Sequence, residues 1–94
     1  MKPVWSPEAI EDLRSLHAFI AEDDPAAAMR VTRQILRGVM LLSKSPGMGR
    51  PGRLSGTREL VIPRTPFIVP YRIEGKTVQV LRVYHSARRW PERF

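Results

Sequence analysis

Apolar side chains change their rhythm once along this chain. Between Ala9 and Leu42 they recur every three or four residues, and from Glu59 onward they tend to alternate with polar ones. The first rhythm is that of a helix buried along one side, the second that of a strand with one buried face. Pro3-Val4-Trp5 reads as a short extended segment stopped by Ser6-Pro7. Ser6 is a favoured N-cap, Pro7 suits the first helical turn, and Glu8 complements the helix dipole. With Ala9, Leu13, Leu16 and Ile20 as its stripe, the first helix is predicted over about Pro7 to Glu22. Asp24-Pro25 repeats the start signal, and Ala28, Val31, Ile35, Val39 and Leu42 mark a second helix that ends at Ser45-Pro46-Gly47. So short a turn makes the two helices an antiparallel hairpin.

The stretch GMGRPGRLSG, residues 47–56, reads as a glycine-rich basic loop. Strands are predicted over Glu59–Ile62, Phe67–Ile73 and Val78–His85, with Glu74-Gly75-Lys76 as a hairpin turn. The element order β-α-α-β-β-β predicts an α+β fold, a single domain over residues 1–94. Its helical hairpin covers one face of a small antiparallel sheet and leaves the other open. A two-residue loop at Gly75-Lys76 pairs Arg72 with Gln79 and Tyr71 with Val80. A three-residue loop gathers Arg72, Val80, Arg82 and Tyr84 on one face, with Tyr71, Leu81 and Val83 on the other. The second register is preferred, because it separates an apolar face from a basic, aromatic one.

Charge sharpens this picture. The 94 residues carry a net +7, distributed unevenly. Residues 1–24 hold two basic against six acidic side chains, a net −4, whereas the remainder holds fourteen against three, a net +11. Only three of the sixteen basic residues are Lys. Arginine stays charged at any cellular pH and grips phosphate or carboxylate with a planar fork, so a polyanion or an acidic protein segment is the expected partner. A chain this short buries roughly 60 to 65% of its unfolded surface, so a partner would add usefully to a modest core. The absence of cysteine removes disulfides, thiolate metal sites and cysteine nucleophiles. The apolar runs are too short to span a bilayer, so neither a membrane nor a signal peptide is expected and the location is read as cytoplasmic. The glycine loop lacks the Lys-Ser/Thr ending and following helix of a phosphate-cradling loop, and no nucleotide, metal or small-molecule cofactor is expected.

Taken in order, WSPEAIEDL, DDPAAA, SPGMGRPGRLSGTRELVI, VPYRI and VLRVYHSAR cover nearly the whole chain, and their order and spacing resemble the RelE/ParE family of type II toxin–antitoxin toxins. The resemblance implies a small growth-inhibiting toxin, of the kind linked to plasmid stabilization, neutralised by a cognate antitoxin. Its branches differ in target: ParE-like members block DNA gyrase, RelE- and YoeB-like members cut mRNA on the ribosome. The lean is to the ParE-like branch, and a nucleic-acid-binding module without toxicity is a third reading. For the nuclease branch the resemblance implies His85 as acid or base, with Arg58 and Arg72 neutralising charge on the scissile phosphate. YoeB-like members carry a glutamate in the loop before the second strand, where this chain has GMGRPGRLSG. Glu59 is the nearby acid, and its neighbour Arg58 is the expected partner. For binding to target or antitoxin, the candidates are Arg72, Arg82, Tyr84, Arg88 and Arg89. His17, Trp5 and Trp90 are read as packing residues, and Glu8, Glu11 and Asp12 as a solvated acidic face.

Overall fold

The computed structural model describes residues 1–91 and 94. Strand β1 (Lys2–Trp5) leads into α1 (Pro7–Asp23) and α2 (Pro25–Leu42), followed by β2 (Arg50–Pro51), β3 (Arg58–Val61), β4 (Phe67–Glu74), β5 (Thr77–Val80) and β6 (Tyr84–His85). Both helices start as expected. Ser6 Oγ accepts the Ala9 amide at 2.9 Å, and Asp24 Oδ1 accepts that of Ala27 at 3.0 Å. The helices form a hairpin whose apolar stripe, Ile35, Val39 and Leu42 on α2, meets Leu60, Val69 and Tyr71 of the sheet. Between the helices, His17 Nδ1 lies 2.9 Å from Thr32 Oγ1, consistent with a packing role. Gly38 lets α2 come down onto β3, since a Cβ there would stand 2.8 Å from Ile62 Cδ1. Among the described residues no helix is long and apolar enough to cross a membrane.

The α+β architecture with helices on one face is as the sequence predicts, but four details of the sheet differ. The sheet is mixed, in the order β1-β5-β4-β3-β2, because β1 runs parallel to β5. A short β2 forms inside the glycine-rich loop and pairs with β3. The β4–β5 turn takes the two-residue form, with Arg72 opposite Gln79 and Tyr71 opposite Val80, so the preferred three-residue register is wrong. Gly75, at φ 57°, supplies the left-handed conformation that the tighter turn requires. Finally, the last strand is broken into β5 and β6, which share one edge of β4.

That break reconciles the turn with the burial pattern. Tyr71 faces Val80 and Ile68 faces Tyr84, so Leu81, Arg82 and Val83 stand opposite only Pro70 and Val69. This extra residue is a β-bulge. It places both Val80 and Val83 in the core, although they are three positions apart, and returns Tyr84 to the opposite face.

Proline explains where the ladder fails. Pro70 accepts from the Leu81 amide at 3.0 Å but has no N–H to return. The Leu81 carbonyl instead accepts Ser6 Oγ at 2.8 Å. Asp12 completes the anchor. Its Oδ2 accepts Arg82 Nε at 2.7 Å and the Val83 amide at 3.0 Å, while Oδ1 accepts Arg82 Nη2 at 2.9 Å. Asp12 is therefore not the solvated residue expected; it ties the start of α1 to the bulge.

Removing this anchor should be costly, because Asp12 satisfies an amide and a guanidinium together. Asp12→Ala is expected to lower the unfolding free energy by roughly 2–4 kcal/mol. Ser6→Ala should cost roughly 1–2 kcal/mol, combining cap and carbonyl losses. Both are read from the urea midpoint at unchanged slope.

Candidate functional site

Alternation along β4 assigns the two faces of the sheet. Phe67, Val69 and Tyr71 point to the helices, while Ile68, Pro70 and Arg72 point away. Tyr84, opposite Ile68, lies on the face away from the helices yet is 1% exposed. It is covered because the chain after β6 turns back over it. The Trp90 ring meets Tyr84 edge-on at 5.0 Å, and Phe94 lies 6.1 Å from it. The face expected to be open is thus partly roofed by the chain's own C-terminal segment.

A cleft of about 780 Å³ is left between sheet and roof, lined by Arg72, Arg82, Arg88 and Arg89 together with Tyr84 and Trp90. The five residues proposed from sequence for binding are brought together there. Their charges are not equivalent. Arg82 is paired with Asp12, and that hydrogen bond raises its pKa above the ordinary arginine value. Arg88 lies 4.6 Å and Arg82 4.8 Å from the Tyr84 ring centre, within cation–π range. Among the described residues, Arg72, Arg88 and Arg89 have no carboxylate partner; Glu8 is the acid in the lining. The site offers unpaired guanidinium forks beside aromatic faces, which suits an anion attached to a planar or apolar group.

The residues of the nuclease reading do not converge there. Arg72 and Arg58 border a separate shallow recess of about 290 Å³. Arg58 does not pair with Glu59; its guanidinium donates to the Gly49 carbonyl at 2.8 Å and the Gly47 carbonyl at 3.2 Å, bracing the glycine-rich loop. Tyr71 braces the same loop, accepting the Gly49 amide and donating to the Pro46 carbonyl. His85 sits opposite Phe67, on the helix side of the sheet, with its ring edge-on to Phe67 at 5.6 Å. Its Nδ1 accepts the Ala87 amide at 3.1 Å. Five strand positions separate Phe67 from Arg72, roughly 17 Å along β4, and the two side chains point to opposite faces. Among the described residues no cluster of His, Cys, Asp or Glu could hold a metal.

Two elements of the site were missed in the sequence. Glu59 is 2% exposed and accepts Arg50 Nη2 at 3.0 Å, Arg50 Nε at 3.2 Å and the Arg53 amide at 2.8 Å. Arg53, held in this way, lays its guanidinium 3.9 Å from the centre of the Trp90 ring. A buried carboxylate thus positions the arginine against which the roof rests. The partners of Glu59 lie six and nine residues away, across a loop whose path the sequence does not announce.

The comparisons with known proteins agree with this architecture. A family model described as "ParE toxin of type II toxin-antitoxin system, parDE" matches residues 4–90. The chain is 43% identical over 88 residues to "Putative toxin Y4kP" of Sinorhizobium fredii, covering 94% of this chain and 91% of that protein. Its fold is similar to a chain in a chromosomal ParDE toxin–antitoxin structure from P. aeruginosa, with a TM-score of 0.80, 31% identity and coverage of 90% and 95%. It is also similar to a chain of the RelBE2 toxin–antitoxin complex from Mycobacterium tuberculosis, with a TM-score of 0.66, 27% identity and coverage of 89% and 95%.

Glu59→Ala should leave the Arg53 amide without its acceptor and release both arginines. Unfolding should become easier by roughly 2–4 kcal/mol. Release of Arg53 should also shift Trp90 fluorescence toward that of a solvated indole, with Trp5→Phe used to isolate the signal.

Proposed function

We propose, on the premise that the chain belongs to the ParE toxin family of type II toxin–antitoxin systems, that it stops growth by binding DNA gyrase and is silenced by a cognate antitoxin. The observation that carries this reading is the division of labour across the sheet. Arg72, Arg88 and Arg89, without a carboxylate partner among the described residues, share a cleft with the rings of Tyr84, Trp90 and Phe94, while His85 lies on the face opposite Arg72, roughly 17 Å from it along the strand. Cutting RNA needs a base, an acid and charge-neutralising groups within hydrogen-bond reach of one phosphate. Gripping a protein needs only complementary shape and charge.

The nearby carboxylate also favours binding over chemistry. Glu59 is enclosed by Arg50, by Arg53 and by the Arg53 amide, so its oxygens are occupied. The antitoxin reading is supported by the helical hairpin, which exposes Phe19 on α1 and Met29, Leu36 and Met40 on α2. An amphipathic segment covering those side chains would stabilise the folded toxin by mass action.

Induction without antitoxin, followed by gyrase assays and mapping of mRNA 5′ ends, tests the proposal. Growth arrest with inhibited supercoiling and intact mRNA is expected. Arg72→Ala/Arg88→Ala/Arg89→Ala should weaken gyrase inhibition by at least about tenfold, as each lost charge-assisted contact is worth roughly 1.5–3 kcal/mol. His85→Ala should remain toxic. Codon-positioned mRNA cuts that disappear in His85→Ala would replace this reading with the ribosome-dependent nuclease.

A further inference from the structure

The outer side of α2 carries a second arginine cluster, distinct from the cleft. Arg30, Arg33 and Arg37 follow one another at intervals of three and four residues, which places them on one side of the helix. Arg64, from the turn between β3 and β4, joins them along a groove of about 460 Å³ that also includes Gln34 and Met29. All four arginines are exposed, and among the described residues none makes an ion pair or side-chain hydrogen bond.

Two features set this cluster apart from an ordinary solvated helix face. First, the chain contains no Asp or Glu from Pro25 to Arg58, so the acidic partners that usually alternate with arginines on a helix are missing. Like charges one turn apart repel each other by a few tenths of a kcal/mol, and nothing within the helix offsets them. Second, Arg64 adopts φ 59°, the one positive φ among the described non-glycine residues. That conformation costs an L-residue roughly 1–2 kcal/mol, yet here it carries a guanidinium to join three others.

We propose that this ridge binds the phosphodiester backbone of a nucleic-acid duplex. Arg30 and Arg37 are separated by roughly 10 Å along the helix axis, the span of about three phosphates on one strand of a duplex. Arg64 comes from a different element and adds a fourth charge at the same groove. Met29, shared with the apolar surface proposed above for the antitoxin, is the one large apolar side chain in the groove lining, so the groove itself offers charge rather than a desolvated anchor. A phosphate backbone asks only for fixed positive charge and donors, which the groove supplies. The ridge is on the helix side of the sheet and the Arg72–Tyr84 cleft on the other, so this site is independent of the gyrase reading.

The test is fluorescence anisotropy of the full chain with a labelled DNA duplex, and with an RNA duplex of the same length, between about 50 and 200 mM salt. The expected log–log salt slope is roughly −3 to −4, from four neutralised phosphates. Arg30→Gln/Arg33→Gln/Arg37→Gln/Arg64→Gln should flatten the slope and weaken binding at least about tenfold, with an unchanged circular dichroism spectrum. Lysine at the same four positions should keep the slope, and so should Arg72→Ala/Arg88→Ala/Arg89→Ala. The ratio of DNA to RNA affinity then identifies which duplex the ridge favours. Unchanged affinity and slope in the glutamine variant would overturn the proposal. A poly-glutamate peptide that displaces the duplex at equal charge concentration would also overturn it, by assigning the ridge to an acidic protein. Gyrase inhibition that persists in the glutamine variant leaves the two readings separately decided.

Discussion

The grip of α1 on the bulge after β5 is the constraint on which the rest of the structure depends. A continuous last strand in the two-residue register would put Val83 on the wrong face and Tyr84 in the core. The extra residue corrects this, but it leaves a carbonyl and an amide without ladder partners. In a buried sheet such orphans are costly. Ser6 takes the carbonyl and Asp12 takes the amide, each from the first turns of α1 and each across more than seventy positions of sequence. With these bonds in place, the helix cap, the strand break and the orientation of Tyr84 become one unit. The cleft inherits its floor from that unit.

Arginine does three different jobs in this chain. Arg58 and Arg82 are structural: one braces the glycine-rich loop, the other is neutralised by Asp12. Arg50 and Arg53 surround a buried carboxylate and set the wall on which Trp90 rests. Arg72, Arg88 and Arg89 line the cleft on one side of the sheet, and Arg30, Arg33, Arg37 and Arg64 line the groove on the other. A sequence-wide charge of +7 therefore overstates the charge available at any one surface and hides its division into two separate fields.

The helices were legible in the sequence because their determinants are local. A cap, a proline and an apolar stripe lie within a few residues of one another, and both helices begin where Ser6 and Asp24 place them. Strand positions along β4 were legible for the same reason. The register was not, since Gly75-Lys76 accommodates either loop length and the decision falls to packing by Val80 and Val83 together. The bulge was also invisible: it needs Pro70, Ser6 and Asp12 at once, and no local pattern joins them. Within the site, the sequence groups Arg72 with Arg82 and Tyr84 only through the three-residue register that the structure replaces; the bulge is what returns Tyr84 to the face of Arg72. Arg53, Glu59 and Trp90 could not be grouped, because their contact depends on the path of a loop and of the returning C-terminal segment.

That returning segment bears on how the cleft binds. Trp90 rests on Tyr84 and Arg53, while its Nε1 is buried without a hydrogen-bond partner among the described residues. A buried indole donor left unpaired weakens its own packing by an amount comparable to a hydrogen bond. Among the described residues the roof is thus held by aromatic and cation–π contacts, with the Trp90 donor unpaired. If the cleft grips a ligand as proposed, one that offers an acceptor near Trp90 and an anion to Arg88 or Arg89 would meet both that donor and the free guanidiniums. Such a ligand gains from the existing roof instead of having to displace it. On the proposed gripping role, the cleft would favour an anion carried beside an acceptor and a flat surface over a bare anion, which meets the arginines only.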